Sequence, residues 1–471
     1  MTTNELCWMS AVELAAAIRA RRLSPVEVTQ AVLERIESIN PRVNAYCTVV
    51  AERALADARA AEAGIMRGDA LGVLHGLPIS FKDLTATAGI RTTMGSRIFE
   101  HWVPEEDAVV VERARAAGAV LLGKTNTPEF GCKGVTDNLV FGHTRNPWKL
   151  DRIAGGSSGG AAAAVAAGLG PLAEGSDLAG SIRIPAAVCG VVGFKPSLGR
   201  VPLWPALNGW TGFSHTGPLT RTVADAALLL SAWAGPDERD PKSLPATGED
   251  FARAVDGGVH GLRVAWSADL GGAPVDPEVR RITGAAAKAF VDLGCRVEEE
   301  HPPLGDAMEL FMDLTAPMRA AGMAAHLPRW RDQLDPMLLL RLDRAEKMSA
   351  IDWERATHRR TTLWHGVRRF FERYDVLVTP TTSAAAFPIG QTFPPEIDGR
   401  PLTNQLEWFP FTYPFAITGQ PAISVPAGFT AEGLPVGLQI VGRRFADATV
   451  LRVAAAFEAA RPWAGRRPPL D

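Results

Sequence analysis

The stretch AGGSSGGAAAAVAAG, from Ala154 to Gly168, constrains the fold most. It carries no charge, no proline and no aromatic residue. Composition alone reads it as a flexible linker. Yet it runs directly into LGPLAEGSDLAGSIRIPAAVCGVVGFKP, which is not linker-like. From Gly159 the alanines favour a helix, Gly168 and Gly170 stop it, and a strand follows toward Ala173. Two serines, Ser157 and Ser158, therefore sit among glycines at a helix start, and a third, Ser181, follows in GSDLAGSIR.

Three chemistries compete for these serines. Neither G-x-x-x-x-G-K-[ST] nor G-x-G-x-x-G lies over Gly155–Gly160, which disfavours phosphate binding. GSSGG does fit the G-x-S-x-G nucleophile elbow with Ser158 at its centre. That motif needs a buried strand before it, and NPWKLDRIA has little β-character. The third reading starts from geometry. Glycine permits backbone that bulky residues forbid, and small residues before Ser181 leave backbone N–H groups free to converge as an oxyanion hole. A serine there becomes a nucleophile if a base takes its proton. Lys82, at the end of the apolar run LGVLHGLPISFKD, is a usable base when buried, because burial disfavours its charged form. Taken singly, each of these residues is most simply a turn serine or a solvated lysine.

The rest of the chain reads as α/β. SPVEVTQAVLERIESI offers Ser24 as N-cap, Pro25 at the first helical position and Glu27 for a capping box. Val28, Val32, Ile36 and Ile39 then share one face. AVVVERARAAGAVLLGKTN reads helix, glycine stop, strand; GLRVAWS, a helix from Pro277 and CRVEEE repeat that grammar. DVLVTPT, PAISVPAGF and PVGLQIVG read as core strands, and Ala446–Ala460 as a last helix. No repeat or low-complexity linker divides the 471 residues. The expectation is one three-layer α/β/α domain over 1–471 around a mixed, mostly parallel sheet. Its parts are an N-terminal helical layer (1–68), a core (69–240) and a C-terminal part (241–471), mainly helical at about 305–374.

These residues resemble the amidase signature family. GGSSGG and GSDLAGSIRIPA stand at the family's spacing. GLPISFKD, GKTNTPEFG, GFKPSLGRV, GPLTRTVAD, PFAITGQPAISVPAGF and LPVGLQIVG extend the likeness over most of the chain, with Gly235–Tyr374 the weakest part. The resemblance implies the amidase signature fold and a Ser–cis-Ser–Lys triad: Ser181 as nucleophile, Ser157 as bridge, Lys82 as base, and a cis peptide between Gly156 and Ser157. It implies an oxyanion hole from the N–H groups of Leu178, Ala179, Gly180 and Ser181. Ser158 and Asp177 would support the loop, with Arg183 paired to Asp177. Ala179 departs from the family, which has glycine there; alanine tolerates most backbone angles but not a strained positive φ.

The implied activity is amide hydrolysis through an acyl-enzyme, without metal or organic cofactor. Two aromatic-rich loops, one with Trp204, Trp210 and Phe213 and one with Trp408, Phe409, Phe411 and Phe415, suggest an apolar pocket, with Trp204, Trp210, Phe213, Trp408 and Phe411 as its first candidates. That favours bulky or aryl amides, extending to aryl esters and carbamates (urethanes). The alternatives are a Ser–His–Asp esterase of α/β-hydrolase type on Ser158, a glutaminase subunit of a tRNA amidotransferase, or a non-enzymatic binding module. A formal net charge of −3 implies neither a nucleic-acid nor a membrane partner. The basic run Thr357–Asp375 reads as the wet face of an amphipathic helix. Five cysteines without C-x-x-C spacing, no signal-peptide pattern and no membrane-length apolar run predict a soluble cytoplasmic protein, monomer or homodimer, acting on a small molecule.

Overall fold

The computed structural model describes residues 2–471. Eleven strands form one sheet: β1 (Tyr46–Val49), β2 (Pro78–Lys82), β3 (Val120–Thr125), β4 (Leu172–Asp177), β5 (Val192–Lys195), β6 (His215–Thr220), β7 (Arg263–Trp266), β8 (Arg296–Glu299), β9 (Val376–Pro380), β10 (Ala422–Phe429) and β11 (Pro435–Gly442). Across the sheet they run β1-β3-β2-β4-β6-β5-β10-β11-β9-β7-β8.

The sheet is mixed, but the expected parallel majority is wrong. Four neighbouring pairs are parallel (β2–β3, β2–β4, β7–β9 and β7–β8), and six are antiparallel. A parallel pair needs a crossover, whereas antiparallel strands can join by a short turn; here only β10–β11 does so, and the other antiparallel pairs bring together strands separated by long stretches of chain. The helix-containing segments recognised in the sequence do supply crossovers, but only toward the two flanks. The centre is built from β5 and β6, which carry no strand signal of their own, and from the hairpin β10–β11.

Alternate residues along the strands enter two different apolar clusters. Leu121, Leu172, Ile423 and Ile440 pack on one face with Val111, Leu229, Leu230 and Leu451. Leu122, Ala173, Ala422 and Val441 pack on the other with Ala163, Val188, Phe311 and Val367. Helices thus cover both faces, which is why β2, β3, β6 and β11 are buried along their whole lengths. The Ser24 capping box forms as expected on helix Pro25–Val43, burying Val28, Val32, Ile36 and Ile39. Residues 305–374 are mainly helical. The basic run belongs to helix Ala350–Arg373, which buries Leu363, Val367, Phe370 and Phe371. No helix among the described residues is long and apolar enough to cross a membrane.

Candidate active site

Parallel β2 and β4 deliver Lys82, Ser176 and Asp177 to the same end of the sheet, since Ile79 pairs with Leu172 and Ser80 with Ala173. In open α/β sheets ligands bind beyond the carboxyl ends of strands. Lys82 is completely buried there. Its Nζ donates to Ser157 Oγ at 2.7 Å, Ser158 Oγ at 2.9 Å and Ser176 Oγ at 3.1 Å. Loss of hydration on burial pushes the ammonium down to about 7, against the opposing pull of Glu174 and Asp177 and with the help of Arg319. Glu174, whose charge pulls on the amine, does not pair with it. It accepts from the Lys82 backbone N–H at 3.0 Å and the Thr85 hydroxyl at 2.9 Å, and burial raises its own affinity for a proton.

The glycine–serine stretch is a packed loop, not a linker. The Gly156–Ser157 peptide is cis, as the resemblance implied. A Cβ at Gly156 would lie 2.8 Å from the Val135 backbone, so only glycine fits. Helix Gly159–Ala166 then starts, every residue buried. A strand, Lys149–Ile153, does precede the loop, contrary to the expectation for NPWKLDRIA, but it lies outside the main sheet, paired with Arg145–Asn146 in a separate ribbon and bridged to Pro388 through Arg152. Ser158 Oγ bonds to Lys82 and to the Ser176 main chain. No histidine hydrogen-bonds to it among the described residues; His215, the one buried histidine among them, turns Nδ1 to the Asp177 carbonyl at 3.1 Å. The Ser158 elbow therefore lacks its base.

β4 ends at Asp177, and a turn leads through Ser181 into helix Arg183–Cys189. The Asp177 carboxylate organises this turn. It accepts from Gly180 N at 2.7 Å, Ile182 N at 3.2 Å, and Arg183 Nε and Nη2 at 2.9 Å each. Burial would raise the carboxyl's pKa, but the Arg183 charge and its hydrogen bonds dominate and hold it at about 2. Arg183 Nη1 donates to Thr412 O at 2.9 Å and Gln439 Oε1 at 2.7 Å, tying the turn to β11. The expected Asp177–Arg183 pair is present and fully buried.

The four expected oxyanion donors divide. Gly180 N–H is taken by Asp177, which removes it from the set. The N–H groups of Leu178, Ala179 and Ser181 have no acceptor among the described residues. The left-handed residue is Gly180, at φ +127°, where a Cβ would stand 2.5 Å from Thr412 Oγ1. Ala179 is not at positive φ, so the departure from glycine costs nothing there. The Ser181 hydroxyl makes no hydrogen bond to protein, and none to Ser157; the two loops are joined instead by Ser158 N–H donating to Ser181 O at 3.1 Å.

Ser181 opens into a narrow cleft walled by Leu178, Ala179, Ile184, Phe409, Gln405 and Arg341, with the loop Gly131–Gly134 along one side. None of the five expected pocket aromatics lines it. Trp408 and Phe411 are fully buried core, while Trp210 is 80% exposed. Phe213 lies under Arg360 and Trp204 under Arg239. The aromatic that does line it is Phe409, edge-on to Trp408 with centroids 5.2 Å apart. It belongs to the aromatic run read from the sequence, but only tertiary packing distinguishes it from its neighbours. Ser176 and Glu174 escape sequence reasoning as well, although they share β4 with Asp177. Arg341 and Gln405 carry no sequence signal.

A family model described as Amidase matches residues 27–451. The chain is 46% identical to an acylamidase from Rhodococcus erythropolis, over 99% of this chain and 98% of that protein. It is 40% identical to the A subunit of glutamyl-tRNA(Gln) amidotransferase from Moorella thermoacetica, over 99% of each. Among solved structures, a bacterial aryl acylamidase of the amidase signature enzymes family superposes with a TM-score of 0.92 at 35% identity, covering 98% of this chain and 99% of that one.

Proposed function

The chain belongs to the amidase signature family and is an amidase, a C–N hydrolase; from that premise we propose that it cleaves bulky or aryl carboxylic amides through an acyl-enzyme on Ser181. One observation carries the reading. A fully buried lysine, held at about 7, hydrogen-bonds to serine hydroxyls and to no carboxylate. Lys124 and Lys195 are also buried without a carboxylate on the amine, but each donates to a main-chain carbonyl; Lys82 donates only to serine hydroxyls, groups with which it can exchange a proton.

In the proposed sequence the Ser181 hydroxyl, free of protein partners before substrate binds, turns to Ser157; neutral Lys82 then accepts the Ser157 proton while Ser157 accepts that of Ser181. Ser181 Oγ forms the new C–O bond at the carbonyl carbon. The tetrahedral oxyanion is held by the free N–H groups of Leu178, Ala179 and Ser181. Collapse breaks the C–N bond, and the proton returns from Lys82 through Ser157 to the leaving amine. Water then hydrolyses the ester by the same relay. Ser158, Asp177 and Arg183 keep the two loops in register. The apolar wall of Leu178, Ile184 and Phe409 supports an apolar acyl or aryl group, as do the relatives named acylamidase and aryl acylamidase. Aryl esters and carbamates fall within the same chemistry. The substrate is a small molecule, and the reaction draws on no cofactor.

The test compares two serines on an acyl p-nitroanilide. Ser181→Ala is expected to abolish turnover, and Ser158→Ala to leave a measurable part. The opposite pattern would return the nucleophile to Ser158. The 40% identity to a tRNA amidotransferase component supports glutaminase action as a second reading. It takes precedence if glutamine hydrolysis appears only when partner subunits of a tRNA amidotransferase are added.

A further inference from the structure

Five arginines are buried: Arg35, Arg183, Arg200, Arg221 and Arg341. Four of them donate hydrogen bonds. Arg35 reaches Ala167 O and Asp471, Arg183 its aspartate and two further acceptors, Arg200 Asp447, and Arg221 three carbonyls. Arg341 alone donates none among the described residues, though only 5% of it is exposed. Guanidinium cannot shed its proton to relieve this. Burial and the nearby Arg319 lower it only to about 10, so the charge persists at neutral pH. Buried charges are otherwise paired.

The surroundings do not pair it. Its Cζ lies 5.5 Å from the centroid of the Phe311 ring. Arg319 adds a second cation, with Nη1 on Phe130 O at 2.9 Å and Nε unpartnered. The carboxylate on the same helix start, Asp335, is held by Lys133 Nζ at 2.5 Å. Leu338 and Leu342, on the helix Pro336–Glu346 that carries Arg341, are buried beside Cys132 and Met323. Arg341 lines the same cleft as Ser181.

We infer that Arg341 is a specificity-determining residue that receives a carboxylate carried by the amide substrate. A carboxylate fits because the planar fork offers two parallel N–H donors to two oxygens. Phe409 and Ile184 would flank the apolar span between that carboxylate and the scissile carbonyl. This rests on the amidase reading and narrows its substrate class to amides with a free acid group.

The test uses two matched pairs. One places the acid on the acyl side: the mono-p-nitroanilide of succinic acid against butanoic p-nitroanilide. The other places it on the amine side: N-acetyl-4-aminobenzoate against N-acetyl-4-toluidine. The wild type is expected to favour the acid member of at least one pair tenfold or more in kcat/KM. Arg341→Met should bring that ratio to about one, and Arg341→Lys should restore part of it. If Arg341→Met does not fold, competitive inhibition of the wild type by butanoate and benzoate, but not by butanamide and benzamide, supports the assignment in its place. Absence of preference in both pairs, persistence of the ratio in Arg341→Met, or equal inhibition by acid and amide overturns the assignment while leaving the amidase reading intact. Failure to hydrolyse any of the four compounds overturns both.

Discussion

The proton relay makes a quantitative prediction about pH. Only the neutral amine of Lys82 accepts a proton, and burial holds that group at about 7. For a base with that pKa, the neutral fraction is about a tenth at pH 6, a half at pH 7 and nine tenths at pH 8. kcat/KM for an acyl anilide should therefore rise roughly tenfold from pH 6 to pH 8 and then level off. A lysine in its ordinary range near 10.4 would instead give a rise of about a hundredfold over the same two units, continuing to about pH 10. The profile thus reports burial as well as identity. The effect of Glu174 supplies an internal check. Its charge pulls the lysine's proton affinity up, so Glu174→Gln should move the inflection to lower pH. Initial rates at subsaturating substrate, with circular dichroism confirming a folded protein at each pH, measure both. A profile flat between pH 6 and 8, or one still climbing tenfold per unit at pH 9, would refute the assignment of Lys82 as the base.

Two further substitutions test the turn that carries Ser181. Gly180→Ala sets a side chain at φ +127° and against Thr412; left-handed backbone costs about 1–2 kcal/mol and overpacking about 1–3 kcal/mol. Activity on an anilide should drop at least tenfold, whereas Ala179→Gly, at an unstrained position, should change it less than about threefold. Comparable losses in the two would show that the strain is misplaced. Arg183→Met leaves the Asp177 carboxylate buried without its partner, a change that costs about 3–5 kcal/mol, read as a lower urea midpoint. The sign with pH follows from Asp177 itself. Its folded pKa lies below the unfolded value, so the pair stabilises fully above about pH 4 and loses that contribution as pH falls toward about 2. A variant as stable as wild type at pH 7 would argue against the pair's role.

What the sequence determined by itself was local. The capping box at Ser24, the glycine stops at Gly168 and Gly170 and the apolar run ending at Lys82 all follow from residues a few positions apart, because caps, turns and periodicity are short-range effects. The long motif around Ser157 and Ser181 likewise identified the family. Tertiary structure decided everything that depends on which distant segments meet. The sheet's antiparallel centre came from strands without a pattern of their own. The loss of Gly180 from the donor set came from a carboxylate that turned back on it. The cavity wall took Phe409 instead of Trp408 or Phe411, because adjacent aromatics point in different directions and only packing chooses among them. Arg341 had no motif at all. Its significance lies in the hydrogen bonds that the folded chain fails to give it, and an unmet partner is visible only once every other partner has been placed.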